Sequence, residues 1–362
     1  MTDWLVFPGQ NVEQRAPRSP APRALVAWLW IVAAMVFAMV IVGGATRLTE
    51  SGLSITEWKP VTGVLPPLSD AAWLAEFEKY KQIPQYRELF PMMDLAHFKY
   101  IYFWEWGHRL LGRLIGLAFA LPLAWFWLRG QVRGSLRLQL LGLLALGALQ
   151  GFVGWWMVSS GLVNRVEVAQ ERLAIHLLLA SFTFAWLVWI ATGLRAEGRT
   201  QIVSWGQRAL AGALIAVTLL QIGLGALVAG LRAGLSYNTW PLMDGRFIPP
   251  FDHLAKLSPG WSNFVDNVTT VQFQHRMIAY ALLALALVNA VVAIRAARGS
   301  RACKRSIVLL GLVLAQVGLG VATLLLHVQI HTALTHQAFA MFVLGMAVVN
   351  RRLLTGGLKS AS

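Results

Sequence analysis

Four histidines stand where histidine is costly. His108, His176, His275 and His336 each lie inside a long apolar stretch, near one end of it. An ionisable side chain within a membrane span is a functional site by default. Neutral imidazole is a nitrogen ligand for iron, and facing helices of a bundle can set two imidazoles on opposite sides of one haem. A single intramembrane histidine is as readily an interhelical hydrogen-bond partner. Four at matched positions point instead to ligation, paired as His108 with His176 and His275 with His336, one haem-sized site per pair. A bare metal centre is the lesser alternative. His327 and His331 lack counterparts, and His97 and His253 lie in loops; these four read as surface or interface residues.

A carboxylate accompanies only one pair. Glu105 precedes His108 by three residues, so a helix places both on one face, whereas the matching residue before His275 is Gln272. A carboxylate can move a proton or stabilise a developing cation, and an amide cannot titrate. Glu105 is therefore the candidate catalytic residue, and the first half the reactive one. The alternative is a solvated glutamate at the membrane edge. Arg109 and Arg276 directly follow two of the histidines. Arginine binds carboxylates bidentately, so Arg109 and Arg276, with Arg47 and Arg113, are candidate partners for porphyrin propionates. Snorkelling to lipid headgroups is an equal alternative. Trp58, Trp240, Trp104 and Trp106 suit an interfacial aromatic belt or the walls of a pocket.

The elements that carry these residues follow from composition. Of 362 residues, 57% are hydrophobic and 13% charged, about half the usual charged share, and mean hydropathy is +0.59. A soluble surface cannot be built from that. Eight apolar stretches, near 25–45, 101–128, 136–158, 171–194, 207–231, 271–294, 305–326 and 331–350, are long enough to span a bilayer. Long polar loops separate the first two (46–100) and the fifth and sixth (232–270). Residues 1–23 are polar and proline-rich, and the apolar stretch after them is longer than a signal-peptide core. The single cysteine, Cys303, allows no intrachain disulfide and reads as an incidental thiol in a basic loop.

The net charge of +15 would suggest nucleic acid, but its distribution argues otherwise. Arg15, Arg18, Arg23, Arg129, Arg133, Arg137, Arg195, Arg199, Arg208, Arg295, Arg298, Arg301, Lys304, Arg305, Arg351, Arg352 and Lys359 fall on one side, with only Asp3, Glu13 and Glu197 for acids. The side with the long loops is balanced. The positive-inside rule then puts both termini in the cytoplasm and the long loops outside, and no nucleic-acid partner is expected.

The chain also repeats. Gly52-Leu53-Ser54 with Trp58 recurs as Gly234-Leu235-Ser236 with Trp240, each ahead of a proline pair (Pro66-Pro67 and Pro249-Pro250). His108-Arg109 matches His275-Arg276. Gln150-x-x-x-Gly154 matches Gln316-x-x-x-Gly320, and His176 matches His336. The expected fold is an all-α integral membrane protein, its eight transmembrane helices forming two parallel-related four-helix bundles. The divisions are a cytoplasmic tail over 1–23, a first half over 24–200, a second half over 201–352 and a tail over 353–362. Gly151, Gly154, Gly223, Gly225, Gly318 and Gly320 are expected mainly to allow close helix approach, with cofactor contact the minor alternative.

Together these strings resemble the haem A synthase family: Gly43-Gly44-Ala45-Thr46-Arg47-Leu48-Thr49 running into Ser51-Gly52-Leu53-Ser54 and Glu57-Trp58-Lys59-Pro60, then Glu105-Trp106-Gly107-His108-Arg109 with Gly112-Arg113, His176, Gln274-His275-Arg276 and His336-Gln337. The likeness extends from about 25 to 350. It implies oxidation of the C8 methyl of haem O to a formyl group by successive hydroxylations, giving haem A for cytochrome oxidase. It implies a haem b cofactor in one half and substrate haem in the other, and it supports the first half as the substrate side. Some members of that family carry paired cysteines in the outer loops; this chain resembles the cysteine-free type of bacteria and mitochondria. The absence of a targeting peptide points to a bacterial plasma membrane. Haem O synthase and cytochrome oxidase assembly factors are the implied protein partners, beside the lipid bilayer, and self-association into a homo-oligomer is open.

Two rivals come from other classes. A di-haem b-type cytochrome acting only in electron transfer needs haems near both faces, and all four histidines lie toward one. A transporter suits parallel repeats but expects a midplane site on broken helices; only Pro122 interrupts a span obviously.

Overall fold

The computed structural model describes residues 22–59, 62–196 and 199–356. Arg15, Arg18, Lys359, Asp3, Glu13, Glu197 and Pro60, used above for orientation and motif, lie outside the described residues, as do most of the two expected tails. Helices in chain order are α1 (Arg23–Leu48), α2 (Asp70–Tyr80), α3 (Pro84–Leu89), α4 (Leu95–Leu128), α5 (Gly134–Ser159) and α6 (Gln170–Leu194). They continue as α7 (Trp205–Gly230), α8 (Phe251–Leu254), α9 (Asn263–Asp266), α10 (Val268–Ala297), α11 (Arg301–Leu325) and α12 (Ile330–Arg352). Eight of them, α1, α4, α5, α6, α7, α10, α11 and α12, are long and apolar enough to cross a membrane. The protein is thus an all-α multi-span membrane protein.

Side chains cap several helix starts. Asp94 accepts from the His97 amide at 2.8 Å, and Ser204, Asn267 and Ser300 do the same for α7, α10 and α11, satisfying donors that a first turn leaves unpaired. Pro122 lies within α4, which runs through it. Cys303 is buried in the first turns of α11 rather than free in a loop.

Two expectations need correction. The segment 46–100 is not simply a polar loop, because it contains α2 and α3. α4 begins at Leu95 instead of near 101, since its first turns bury Phe98, Ile101 and Tyr102 against Trp73, Phe77 and Tyr80. Phe77 stacks on Phe98 with centroids 4.9 Å apart, and Trp73 meets Tyr102 edge-on at 5.0 Å. This aromatic cap gives the helix a protein environment beyond its apolar span. His108 therefore sits nearly four turns from its helix start, while His176, His275 and His336 sit about two turns from theirs.

Helix α1 packs on α4 and α6, and α5 on α4 and α6, closing a ring; α7 packs on α10 and α12, and α11 on α10 and α12, closing a second. The rings meet where α6 touches α7 and α12, and α12 touches α1. Leu25, Leu29, Val32, Leu187, Val188 and Leu344 form the centre of the apolar core there. At the opposite end from the long loops, β1 (Gln201–Val203) pairs in parallel with β2 (Leu354–Gly356). The expected tail from 353 therefore opens with an ordered strand that returns to the linker between halves.

Candidate functional site

Each of the four histidines is seated against the preceding long helix on a glycine. A β-carbon on Gly43 of α1 would lie 3.1 Å from Nε2 of His108; on Gly154 of α5, 2.9 Å from Cε1 of His176. On Gly225 of α7 it would lie 3.1 Å from Cε1 of His275, and on Gly320 of α11, 2.9 Å from Cε1 of His336. Any side chain there would push the imidazole off its place. The division among the glycines differs from the expectation. Gly154, Gly225 and Gly320 meet imidazoles, Gly223 meets Leu178 of α6, and Gly151 and Gly318 face nothing within 4 Å.

One turn before three of these glycines stands a glutamine. Gln150 Nε2 lies 3.0 Å from His176 Nδ1 and donates to the His176 carbonyl at 3.1 Å. Gln316 Nε2 lies 3.1 Å from His336 Nδ1 and donates to the His336 carbonyl at 3.0 Å. Gln221 Nε2 lies 3.2 Å from His275 Nε2 and donates to the His275 carbonyl at 3.0 Å. Gln221-x-x-x-Gly225 has the same spacing but lies on the first helix of its half, not the third, so it is not part of the repeat. The spacing itself was the available signal.

His176 lies within electrostatic range of His108, and His275 within range of His336. Among the described residues no three His, Cys, Asp or Glu side chains come together as a metal-binding group. Such donor sets suit a haem, which takes two axial ligands and brings four nitrogens of its own. The residues present fit that group: the donors are imidazole nitrogens, and glycine seats keep other side chains away from the rings.

Glu105 is buried at 2% exposure, not solvated at an edge. Ser54 donates its hydroxyl to Oε2 at 2.7 Å, the Ile55 amide donates to the same oxygen at 2.8 Å, and Arg109 donates to Oε1 at 2.6 Å. Arg109 also donates to the carbonyls of Ile55 and Glu57 at 2.8 and 3.1 Å. The second half repeats the arrangement without the charge. Arg276 donates to the carbonyls of Tyr237 and Leu242 at 2.8 and 3.3 Å, and Gln272 donates to Tyr237 at 3.1 Å. Both arginines thus fasten the first part of a long loop to the helix bearing the histidine. Ser54 belongs to the repeat, but its pairing with Glu105, 51 residues away, is created only by folding.

Arg113 donates to the Lys59 carbonyl at 2.9 Å. With Arg109, Lys59, Glu57, Glu76 and Tyr102 it lines a cavity of about 270 Å³ at the first long loop. The Lys59 and Lys79 ammoniums beside Glu57 hold its carboxyl below the usual carboxylate range. Arg47 lies at the seam between the halves, donating to Glu167 at 2.6 Å and to the Ala229 carbonyl at 3.1 Å. Trp58 and Trp240 are both close to half exposed, and Trp106 donates to the Val64 carbonyl at 3.0 Å. His97, His253, His327 and His331 are exposed, as expected of surface residues.

Fold and site define a multi-span helical membrane protein built around paired, glycine-seated imidazoles. Residues 26–348 match the family model described as cytochrome oxidase assembly protein. The chain is 61% identical over 355 residues to a haem A synthase of Beijerinckia indica, an alignment covering 96% of this chain and 97% of that one. It is 55% identical to a haem A synthase of Methylobacterium sp., with 98% and 99% covered, and 54% identical to one of Agrobacterium fabrum, with 92% and 91% covered. The chain belongs to the cytochrome oxidase assembly protein family, among the haem A synthases.

Proposed function

We propose that the chain is a membrane oxidoreductase that converts haem O to haem A, oxidising the C8 methyl group to a formyl group for cytochrome oxidase assembly. The observation that carries this reading is the set of four imidazoles, each ring seated on a glycine of the preceding long helix, in a chain so similar to haem A synthases. His108 and His176 hold the substrate haem, and His275 and His336 hold a haem b cofactor. Bound haem iron supplies the electron transfer and oxidation chemistry. Everything else falls to the chain. The glycines set ring position, and the first outer loop, fastened by Arg109, excludes water. Arg109, Arg276, Arg113 and Arg47 place positive charge at the outer ends, where propionates are held.

Glu105 distinguishes the halves. Its buried carboxylate sits one helical turn from His108, held by Ser54, the Ile55 amide and Arg109. It can hold a negative charge or a proton there, and the Gln272 amide at the matching place can do neither. The setting is a bacterial plasma membrane with both termini cytoplasmic and the long loops outside, an orientation supported by the arginine asymmetry. Haem O synthase and assembly factors are the partners this role requires.

Co-expression with a haem O synthase tests the reading. Extracted pigment is expected to contain haem A; haem O alone, with the protein present in the membrane, would overturn it. Glu105→Gln is expected to retain bound haem while lowering haem A yield by about 10²-fold or more. Undiminished product from that variant would remove Glu105 from the chemistry.

A further inference from the structure

The seam between the halves carries arginines at both ends, but acids at only one. Toward the long loops, Arg47 and Arg232 meet Glu167 and Glu50. Every Asp and Glu among the described residues falls within 50–105, 167–171 or 244–266, all toward that end. At the opposite end, where α6 and α12 stop and α7 starts, three arginines gather. Arg352 of α12 reaches across the seam onto α6, its guanidinium against Gly193 and 5.1 Å from the Trp189 ring centroid. Arg351 stands 5.9 Å from the same ring, its Nε 3.8 Å from where a β-carbon on Gly212 of α7 would lie. Arg208, one turn before Gly212, is within electrostatic reach of Arg351, as is Arg352. Arg351 has one long hydrogen bond, from Nη1 to the Leu354 carbonyl at 3.5 Å. Among the described residues the side chains of Arg208 and Arg352 make none, and Nε of each is buried.

We propose that Arg208, Arg351 and Arg352, beside the Trp189 ring, form a binding site for the phosphate of an anionic phospholipid, which ties α7 and α12 to α6 at the end of the seam away from the Glu50 and Glu167 ion pairs. Guanidinium groups stay charged at any working pH, so three gathered together repel one another. A phosphate supplies what this cluster needs, negative charge and acceptor oxygens that match the guanidinium fork. The span of α12 ends at Arg352, which sets the cluster at headgroup depth, where long basic side chains meet lipid phosphates. Basic pockets between membrane helices recognise anionic headgroups by this chemistry. Arg208, Arg351, Arg352 and Trp189 are each partly exposed, so a headgroup can reach them. Glu50 and Glu167 do the equivalent work from within the chain at the other end. The proposal is independent of what the histidines bind.

Lipid titration of the full-length protein tests it. Protein purified in an uncharged detergent is titrated with phosphatidylglycerol, with phosphatidylcholine of the same acyl chains, or with inorganic phosphate. Native mass spectrometry counts bound lipid, and tryptophan-fluorescence melts give Tm. Phosphatidylglycerol is expected to bind in preference to phosphatidylcholine and to raise Tm, and inorganic phosphate to leave Tm unchanged. Arg208→Gln and Arg351→Gln should each weaken phosphatidylglycerol binding about tenfold, the loss of roughly one charged hydrogen bond, and shrink the rise in Tm. Arg208→Lys keeps the charge without the fork and should recover part of the binding. Arg298→Gln removes an equal charge from an exposed position and should change neither readout. Equal binding of phosphatidylcholine would mean that acyl chains alone hold the lipid. An equal rise in Tm with inorganic phosphate would mean that a free anion occupies the cluster. Arg208→Gln indistinguishable from Arg298→Gln would mean only general attraction to a charged bilayer. Each of these three results overturns the proposal, and the first two are read on the wild type, whatever the variants do to folding.

Discussion

At the scale of the residue, the recurring device is an imidazole resting on a glycine of the neighbouring helix. Helix interiors ordinarily disfavour glycine, so its presence beneath all four rings is explained by what occupies the space above it. The neighbouring glycines provide the control. Gly154→Val would force the His176 ring aside, with about half of the bound haem, one site of two, lost and an overpacking cost of roughly 1–3 kcal/mol. Gly151→Val, on the same helix but facing open space, is expected to bind haem as the wild type does. Absorbance of the two purified variants at equal protein concentration separates them, and equal haem content would remove the seat from the account. Glu105 shows the same dependence on its surroundings. Its four hydrogen bonds come from residues separated by up to 51 positions in the chain, so its chemistry cannot be separated from the position of the first long loop.

Among the elements, the cap of α2, α3 and the first turns of α4 has no aromatic counterpart among the described core clusters of the second half. Its centre is Tyr80, fully buried, whose hydroxyl donates to Gln85 Oε1 at 3.0 Å. Burial, with the Glu105 and Glu50 carboxylates nearby, pushes the Tyr80 phenol well above its usual range. A raised folded pKa means that its stabilising effect is complete below the ordinary tyrosine value of about 10 and is lost as pH rises through the folded value. Tyr80→Phe is therefore expected to cost about 1 kcal/mol at neutral pH through the lost hydrogen bond, and to flatten the fall in Tm between about pH 9 and 11. Thermal melts followed by tryptophan fluorescence across that range check both. A variant that falls as steeply as the wild type would show that Tyr80 is not the responsible group.

For the molecule as a whole, the two halves are joined by apolar helix contacts and by a cluster of charges at the long-loop end of their seam. Glu50 and Arg232 stand two residues before Gly52 and Gly234 of the repeat, both with left-handed backbone, φ 56° and 50°. They pair with each other at 2.5 Å. Glu167 pairs with both Arg47 and Arg232. Equivalent positions of the repeat thus carry opposite charges and meet across the seam. Glu167→Gln leaves two guanidinium groups adjacent with only Glu50 beside them. A loss of about 1–2 kcal/mol is expected for this partly buried network, seen as a lower Tm that high salt partly restores. A variant melting as the wild type does in low salt would mean the apolar contacts alone hold the halves.

Composition and periodicity by themselves determined that the chain spans a membrane eight times, because runs of some twenty apolar residues have no other stable home. The repeat, the four matched histidines and the contrast of Glu105 with Gln272 were also readable there, since each is a property of residue type and spacing. Tertiary structure decided the rest. That Gly154, Gly225 and Gly320 seat imidazoles while Gly151 and Gly318 do not depends on helix rotation, which spacing leaves open when nearly every face is apolar. The extra turns of α4 arise because aromatic side chains from a distant segment bury them. Arg109 and Glu105 meet Ser54 and Ile55 only because the loop folds back on its helix.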